Sequence, residues 1–136
     1  MSDKIFVDTN ILVYSVDNEP RKRTIADNLL LEKDIIISPQ VISEFIAVTL
    51  RKKILEPTKV SEYAKQFMRV FYVTAMTEET IILALDVMVK YQFSYWDSLI
   101  LAAALESGCE FLYSEDLQDG QRIENGLTIH NPFKKQ

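Results

Sequence analysis

Short apolar runs alternate with longer mixed stretches along this chain. Five runs of three residues are apolar or β-branched at consecutive positions, without polar alternation, which is typical of strands buried on both faces of a parallel sheet. These predicted strands lie at residues 5–7, 35–37, 71–73, 111–113 and 127–129. The pattern therefore predicts a central sheet that is covered on both sides.

Helical stretches separate the predicted strands. The spacing of apolar residues and the capping signals predict helices over residues 9–16, 20–33, 39–55, 58–69, 77–91 and 95–107. Ser38 precedes Pro39 as an N-cap, Thr77 begins an acidic first turn, and Gly108 follows the last helix as a C′ residue. Alternation of strands and helices predicts βαβ units. We expect one domain over residues 1–136, an α/β/α three-layer sandwich with a mostly parallel sheet.

Composition narrows the class of protein. The chain has 136 residues, 48% of them hydrophobic, and a formal net charge of -5. This balance argues against disorder. No segment predicts a membrane span or a targeting signal, and Cys109 is the only cysteine, so we expect a soluble cytoplasmic protein with a packed thiol. With His130 as the only histidine, a histidine-based catalytic triad has little scope.

Four acidic residues occupy unusual positions. Asp8 directly follows the predicted strand at 5–7, and Asp116 comes shortly after the one at 111–113. Glu44 and Asp97 lie in helices that are expected to pack beside the sheet. Functional groups of such sheets gather at the carboxyl ends of the strands. Each acid also has an ordinary structural explanation: Asp8 as a helix N-cap, Glu44 as a boundary residue, Asp97 in a capping box with Ser94, and Asp116 in a turn.

Together the four acids favour a metal site. Carboxylates about 5 Å apart repel by roughly 3 kcal/mol per pair at an effective dielectric constant near 20. A fold tolerates such repulsion where a cation lies between the groups. Ligands that are all oxygen favour Mg²⁺ or Mn²⁺ over zinc, and carboxylate-held Mg²⁺ or Mn²⁺ suits phosphoryl-transfer chemistry.

Several segments, taken in order, resemble the PIN-domain ribonucleases, and most closely the toxin nucleases of toxin–antitoxin modules. They are Phe-Val-Asp-Thr-Asn at 6–10, Ile-Ser-Glu-Phe at 42–45, Tyr-Trp-Asp-Ser-Leu-Ile at 95–100, Ser-Glu-Asp-Leu at 114–117 and the closing stretch 126–133. Each segment alone is weakly specific. Their order across essentially the whole chain makes the resemblance fairly specific.

The resemblance implies an endoribonuclease that cuts single-stranded RNA and needs Mg²⁺ or Mn²⁺. The residues on the family's four acidic positions, which would be catalytic and metal-binding, are Asp8, Glu44, Asp97 and Asp116. Supporting residues are implied at Thr9, Asn10 and Ser114, more loosely, and Asp119 is an additional acid without an assigned role. The expected partners are an RNA substrate, a cognate antitoxin protein and a second copy of the chain, with no membrane.

Basic and aromatic residues offer contacts for RNA. The basic runs are 21–23, 51–53 and 134–135, although such runs are more often solvated helix ends or tails. Tyr14, Tyr95 and Trp96 are candidates for base stacking, but the apolar surroundings of Trp96 favour core packing.

Two other functions remain open. One is a non-catalytic α/β binding module whose acidic pocket docks a basic segment of a partner. The other is a phosphatase that forms an aspartyl-phosphate on Asp8, but the second aspartate of that motif is missing two residues later, where Asn10 stands.

Overall fold

A computed structural model describes residues 4–124 and 126–135 of the chain. Six strands form one sheet in the order β3-β2-β1-β4-β6-β5. Their bounds are β1 Lys4–Val7, β2 Asp34–Ile37, β3 Tyr72–Val73, β4 Phe111–Tyr113, β5 Arg122–Ile123 and β6 Leu127–His130. All neighbouring pairs are parallel except β5 and β6.

Six helices cover the sheet. They are α1 Thr9–Tyr14, α2 Pro20–Glu32, α3 Pro39–Arg51, α4 Pro57–Val70, α5 Glu78–Tyr91 and α6 Tyr95–Glu106. Contacts link α1 with α2 and α3, and α3 with α4, whereas α5 packs on α6. Right-handed crossovers place these two groups on opposite faces, because the chain reverses its direction across the sheet after β3. The predicted three-layer α/β/α sandwich is confirmed.

The core forms where the sheet meets its helices. Strands β1 and β2 are buried at three of their four positions, as expected for strands covered on both faces. Phe6, Phe45 and Leu101 are fully buried and come from β1, α3 and α6. Cys109 is also buried, and burial raises its pKa to about 11, which agrees with the predicted packing role for this thiol.

The helix boundaries follow their capping residues. The Ser38 hydroxyl accepts a hydrogen bond from the Val41 N–H, and Thr77 and Thr80 form a reciprocal capping box. The predicted end of the third helix at residue 55 is wrong, because α3 ends at Arg51. Lys53 adopts a left-handed conformation there, with φ of 55°, and the Ile54 N–H donates to the Thr49 carbonyl. This is a Schellman-type ending built without glycine.

Strand β5 was not among the predicted strands. It has two residues and pairs antiparallel with β6 at the edge of the sheet. In the described ranges, no helix is long and apolar enough to cross a membrane.

Candidate active site

The first part of the site comes from two adjacent strands. β1 and β4 pair in parallel with Val7 opposite Tyr113, so Asp8 and Ser114 leave the sheet side by side. The Asp8 N–H extends the pairing by donating to the Tyr113 carbonyl oxygen at 2.9 Å. β1 lies between β2 and β4, and the chain goes on from β1 to β2 on one side before it reaches β4 on the other. Such a switch point in an α/β sheet leaves a crevice at the carboxyl ends of the strands.

An open cavity of about 490 Å³ occupies this crevice. We refer to it as the acid cavity, because it is lined by Asp8, Glu44, Asp97, Glu115 and Asp116. The four acids singled out from the sequence therefore come together from β1, α3, α6 and the segment after β4. Arg51 and Lys52, at the end of α3, line the same cavity.

Asp8 is the most buried acid of the cavity, with 6% of its surface exposed. Its Oδ1 accepts a hydrogen bond from the Thr9 N–H at 2.7 Å, and its Oδ2 accepts one from the Ser114 hydroxyl at 2.7 Å. Burial raises the pKa of Asp8 to about 6. The two hydrogen bonds oppose that change, while the charges of Asp116 and Glu44 add to it.

The N-cap explanation for Asp8 holds alongside the site. Asp8 stands at the N-cap of α1 with extended backbone angles, and its side chain accepts from the first helical N–H. The same carboxylate lines the cavity. A capping position and a position in the site are therefore compatible at this residue.

Glu44 is oriented by two donors. Its Oε1 accepts a hydrogen bond from the Thr9 hydroxyl at 2.8 Å, and its Oε2 accepts one from the Gln40 Nε2 at 3.2 Å. The same Gln40 Nε2 donates to the backbone oxygen of Trp96 at 3.0 Å, which ties α3 to the start of α6. Gln40 was not singled out from the sequence, although it precedes Glu44 by one helical turn.

Asp116 is held by the segment that follows Asp8. Its Oδ2 accepts a hydrogen bond from the Asn10 Nδ2 at 3.2 Å, and its N–H donates to the Ser114 hydroxyl at 3.2 Å. Asn10 also accepts from the Glu115 N–H at 3.2 Å through its side-chain oxygen. The three residues implied as supporting groups, Thr9, Asn10 and Ser114, each form a hydrogen bond with at least one of the four acidic residues.

Asp97 lies in the first turn of α6 and is half-buried. Its N–H donates to the hydroxyl of Ser94, the N-cap of this helix, at 3.1 Å. Burial raises the pKa of the Asp97 carboxyl, the hydrogen bond with Ser94 lowers it, and the charges of Asp116 and Glu44 raise it further. The charges of the other acids therefore affect the Asp97 carboxyl, although the backbone N–H of Asp97 also takes part in the Ser94 helix cap.

Glu115 differs from the other acids because a cation pairs with it. Lys22 forms an ion pair with Glu115, and the Tyr14 hydroxyl donates to the Glu115 Oε1. Burial raises the pKa of Glu115, but these two partners outweigh burial and hold the pKa below its usual range. This paired carboxylate was not singled out from the sequence, since only the folded chain brings Lys22 to it.

Asp119 does not line the acid cavity. Its Oδ1 accepts a hydrogen bond from the Asn131 N–H at 2.9 Å. Lys134 lies 3.7 Å from its other carboxylate oxygen, and the His130 Nδ1 lies 3.5 Å from Oδ1. The structure thus gives Asp119 a place in fastening the C-terminal segment.

The chemistry of the acids fits Mg²⁺ or Mn²⁺, but the side chains are not gathered around one point. Among residues 4–124 and 126–135, no three His, Cys, Asp or Glu side chains are arranged to hold a metal ion. The carboxylates of Asp8, Glu44 and Asp116 accept hydrogen bonds from neighbouring side chains instead. All the side-chain atoms that these acids offer to a metal are oxygens. None of the described groups that shift the pKa of buried Asp8 is a cation.

A family model and several solved structures match this chain. The PIN domain model matches residues 5–120, so the chain belongs to the PIN domain family. No curated protein matches it significantly.

The solved structures that resemble it are distant in sequence. VapC20 of Mycobacterium tuberculosis, described as a toxin that cleaves the sarcin-ricin loop, has a TM-score of 0.68 at 19% identity. The match covers 82% of this chain and 91% of that one. A toxin–antitoxin complex from Klebsiella pneumoniae has a TM-score of 0.71 at 16% identity, covering 94% and 97%. DNA-bound VapBC from Salmonella typhimurium has a TM-score of 0.69 at 20% identity, covering 97% and 99%. These similarities show a common fold.

Proposed function

We propose that this chain is a metal-dependent endoribonuclease that hydrolyses single-stranded RNA. The observation that carries the proposal is the acid cavity, which four acidic residues from separate parts of a PIN fold line at the carboxyl edge of the sheet. The structures with this fold include a toxin described as cleaving the sarcin-ricin loop, which supports RNA as the substrate class.

In the proposed reaction, the four acids would bind the metal, and neighbouring hydroxyls orient two of them. Asp8, Glu44, Asp97 and Asp116 would hold Mg²⁺ or Mn²⁺, which supplies an activated water and stabilises charge on the leaving oxygen. The hydrogen bonds from the Thr9 and Ser114 hydroxyls fix the orientation of Glu44 and Asp8 before substrate binds. Such preorganisation keeps oxygen ligands near their working positions.

The proposal is tested by incubating the purified chain with labelled single-stranded RNA in Mg²⁺, in Mn²⁺ or in EDTA. We expect cutting with either metal and none in EDTA. RNA or protein binding without any cutting would favour the alternative, a non-catalytic module with an acidic docking pocket. A phosphoryl group bound to Asp8 would favour the phosphatase.

Arg51 and Lys52 are the cationic side of the acid cavity. Both are exposed, and neither forms an ion pair or side-chain hydrogen bond within the described parts of the chain. Carboxylates repel the phosphates of RNA, and cationic side chains beside them offset that repulsion. We assign the two side chains to the phosphates that flank the cut.

Removing either charge is expected to weaken productive RNA binding. For Arg51→Gln and for Lys52→Gln, we expect kcat/KM to fall about tenfold, the effect of one charge-assisted contact. The dependence of log(kcat/KM) on log[KCl] is expected to become shallower by about 0.7 per removed contact. Initial rates over a series of KCl concentrations measure both quantities.

Lys53 provides the matched control, because it belongs to the same basic run but does not line the acid cavity. Lys53→Gln is expected to leave both the rate and its salt dependence near the wild-type values. Equal effects for all three substitutions would mean that the run acts only through general charge, and the assignment of two phosphate contacts would be wrong.

We also propose a cognate antitoxin as the protein partner. The Klebsiella pneumoniae relative is described as a toxin–antitoxin complex, which supports such a partner here. A basic side chain of the antitoxin would enter the acid cavity and compete with metal for the carboxylates, and arginine suits this role because its planar guanidinium pairs with carboxylates through two hydrogen bonds.

A second copy of the chain is the other proposed partner. On α5, Ile82, Leu85 and Val89 are 60%, 44% and 74% exposed and recur at helical spacing. An exposed apolar stripe of this kind is typical of a protein–protein interface. This exposed stripe supports the expected homodimer.

A further inference from the structure

An apolar groove adjoins the acid cavity. It encloses about 680 Å³ and is walled by Met76, Tyr95, Trp96 and Leu99, with Glu44 and Ala47 shared between groove and cavity. The two spaces therefore lie next to each other along α3, but their chemistry differs. In contrast to the acid cavity, the groove contains no basic residue among the described residues that line it, and Glu44 is its only charged one.

Trp96 is the most exposed of the walls. The prediction that it packs in the core is wrong, because 63% of its surface is exposed. Met76 beside the groove is 40% exposed. The Tyr95 ring packs against the indole edge-on, with ring centroids 5.2 Å apart. The backbone oxygen of Trp96 accepts from Gln40. The indole is thus presented to solvent from a fixed backbone.

The backbone connections place Trp96 next to the proposed chemistry. Trp96 directly precedes Asp97, and Gln40 joins the Trp96 carbonyl to the Glu44 carboxylate. An RNA strand whose phosphate lies among the acids must place an adjoining base close by. An uncharged, flat base suits a groove with apolar walls and no cation, whereas a phosphate does not.

We propose that this groove binds an unpaired nucleobase next to the scissile phosphate, with the Trp96 indole as the stacking surface. The inference rests on the proposed ribonuclease function and deepens it. It makes Trp96 a residue that positions substrate. Because every base has an aromatic face, stacking here selects single-stranded RNA over paired RNA without a strong preference for one base.

The single tryptophan of the chain allows a direct test, because its fluorescence reports this position alone. The probe is a single-stranded RNA oligomer, titrated into Asp116→Asn protein in Mg²⁺ so that the strand is bound but not cut. We expect the fluorescence of Trp96 to be quenched. An oligomer series with one abasic site is expected to lose the quenching when the missing base is at one particular position, and to keep it elsewhere.

Activity gives a second readout on the otherwise unchanged chain. We expect Trp96→Ala to raise KM about tenfold with a smaller change in kcat, and Trp96→Phe to restore most of the lost affinity, since an aromatic face remains. Leu31→Ala is the control, because Leu31 is another exposed apolar side chain, 84% exposed, that lines neither space. Thermal melts verify that each variant folds.

The outcomes separate this inference from the proposed function. Base-dependent quenching without any cutting by wild type would retain the groove and reject the nuclease. Normal cutting with no quenching and an unchanged KM for Trp96→Ala would reject the groove and retain the nuclease. If fluorescence instead follows protein concentration, and Trp96→Ala abolishes a dimer seen by light scattering, the groove is a contact between two copies and the inference is overturned.

Discussion

Replacement of Asp97 by asparagine is expected to reduce RNA cleavage by about a thousandfold, the effect of losing several kcal/mol of metal-dependent stabilisation. The substitution keeps the shape of the side chain and the backbone N–H that donates to Ser94. It removes a negative oxygen from the acid cavity. Single-turnover cleavage of a labelled RNA in saturating Mn²⁺ measures the loss without interference from product release.

The control for this experiment is Asp86→Asn. Asp86 is an exposed residue of α5 that does not line the acid cavity, so its substitution is expected to leave the rate unchanged. Glu106, another acidic residue of α6, is less suitable as a control because it accepts a hydrogen bond from the Thr80 hydroxyl. A similar rate for Asp97→Asn and Asp86→Asn would remove Asp97 from the catalytic group.

The stability of the same variant distinguishes a metal ligand from a helix cap. In EDTA, burial disfavours the ionised Asp97 carboxyl and raises its pKa, and the charges of Asp116 and Glu44 add to this effect. We expect Asp97→Asn to raise the free energy of unfolding by about 1 kcal/mol, a value already reduced for the solvent screening of a half-buried group. A capping role for the carboxylate predicts a loss of about 0.5–2 kcal/mol instead.

Metal adds a larger effect to these melts. A ligand that binds only the folded state stabilises it by about 2.7 kcal/mol at a hundredfold excess over its dissociation constant. We expect wild type and Asp86→Asn to gain this stability with Mn²⁺, and Asp97→Asn to lose most of the gain. Thermal melts of the three proteins, each in EDTA and in Mn²⁺, give the comparison. If Asp97→Asn is less stable than wild type in EDTA and gains as much stability from Mn²⁺, Asp97 caps the helix and does not bind the metal.

The fold was accessible from sequence because its signals are local. Runs such as 35–37 are apolar at every position, and Ser38 with Pro39 marks the next helix start. Strand β5 has no such apolar run. Arg122 and Ile123 form a strand because they pair with β6, and that contact is not visible in the local sequence. The end of α3 was also missed, because a lysine takes the left-handed position that glycine usually marks.

The candidate site shows the same division. Positions after strands led to Asp8 and Asp116, because the carboxyl ends of parallel strands lie at one edge. The ion pair between Glu115 and Lys22 depends on how α2 packs beside the segment after β4. The local sequence around either residue does not predict this packing.

Trp96 illustrates a different limit. Its helix is apolar almost throughout, which suggested a buried indole, yet the buried residues of α6 begin only at Ser98 and Trp96 is exposed. Gln40 likewise acquires its second partner only when α3 meets α6. Contacts between elements, and the exposure of single side chains at their ends, are properties of the packed chain.

The ends of the RNA products test the central claim most directly. If carboxylate-held Mg²⁺ or Mn²⁺ activates water for attack on phosphorus, the products of wild-type cleavage carry a 5′-phosphate and a 3′-hydroxyl, and none form in EDTA. Mass spectrometry of a defined single-stranded RNA after digestion identifies both ends. Products that end in a 2′,3′-cyclic phosphate, or cleavage that continues in EDTA, would contradict the account, because the 2′-hydroxyl would then be the nucleophile or metal would be dispensable.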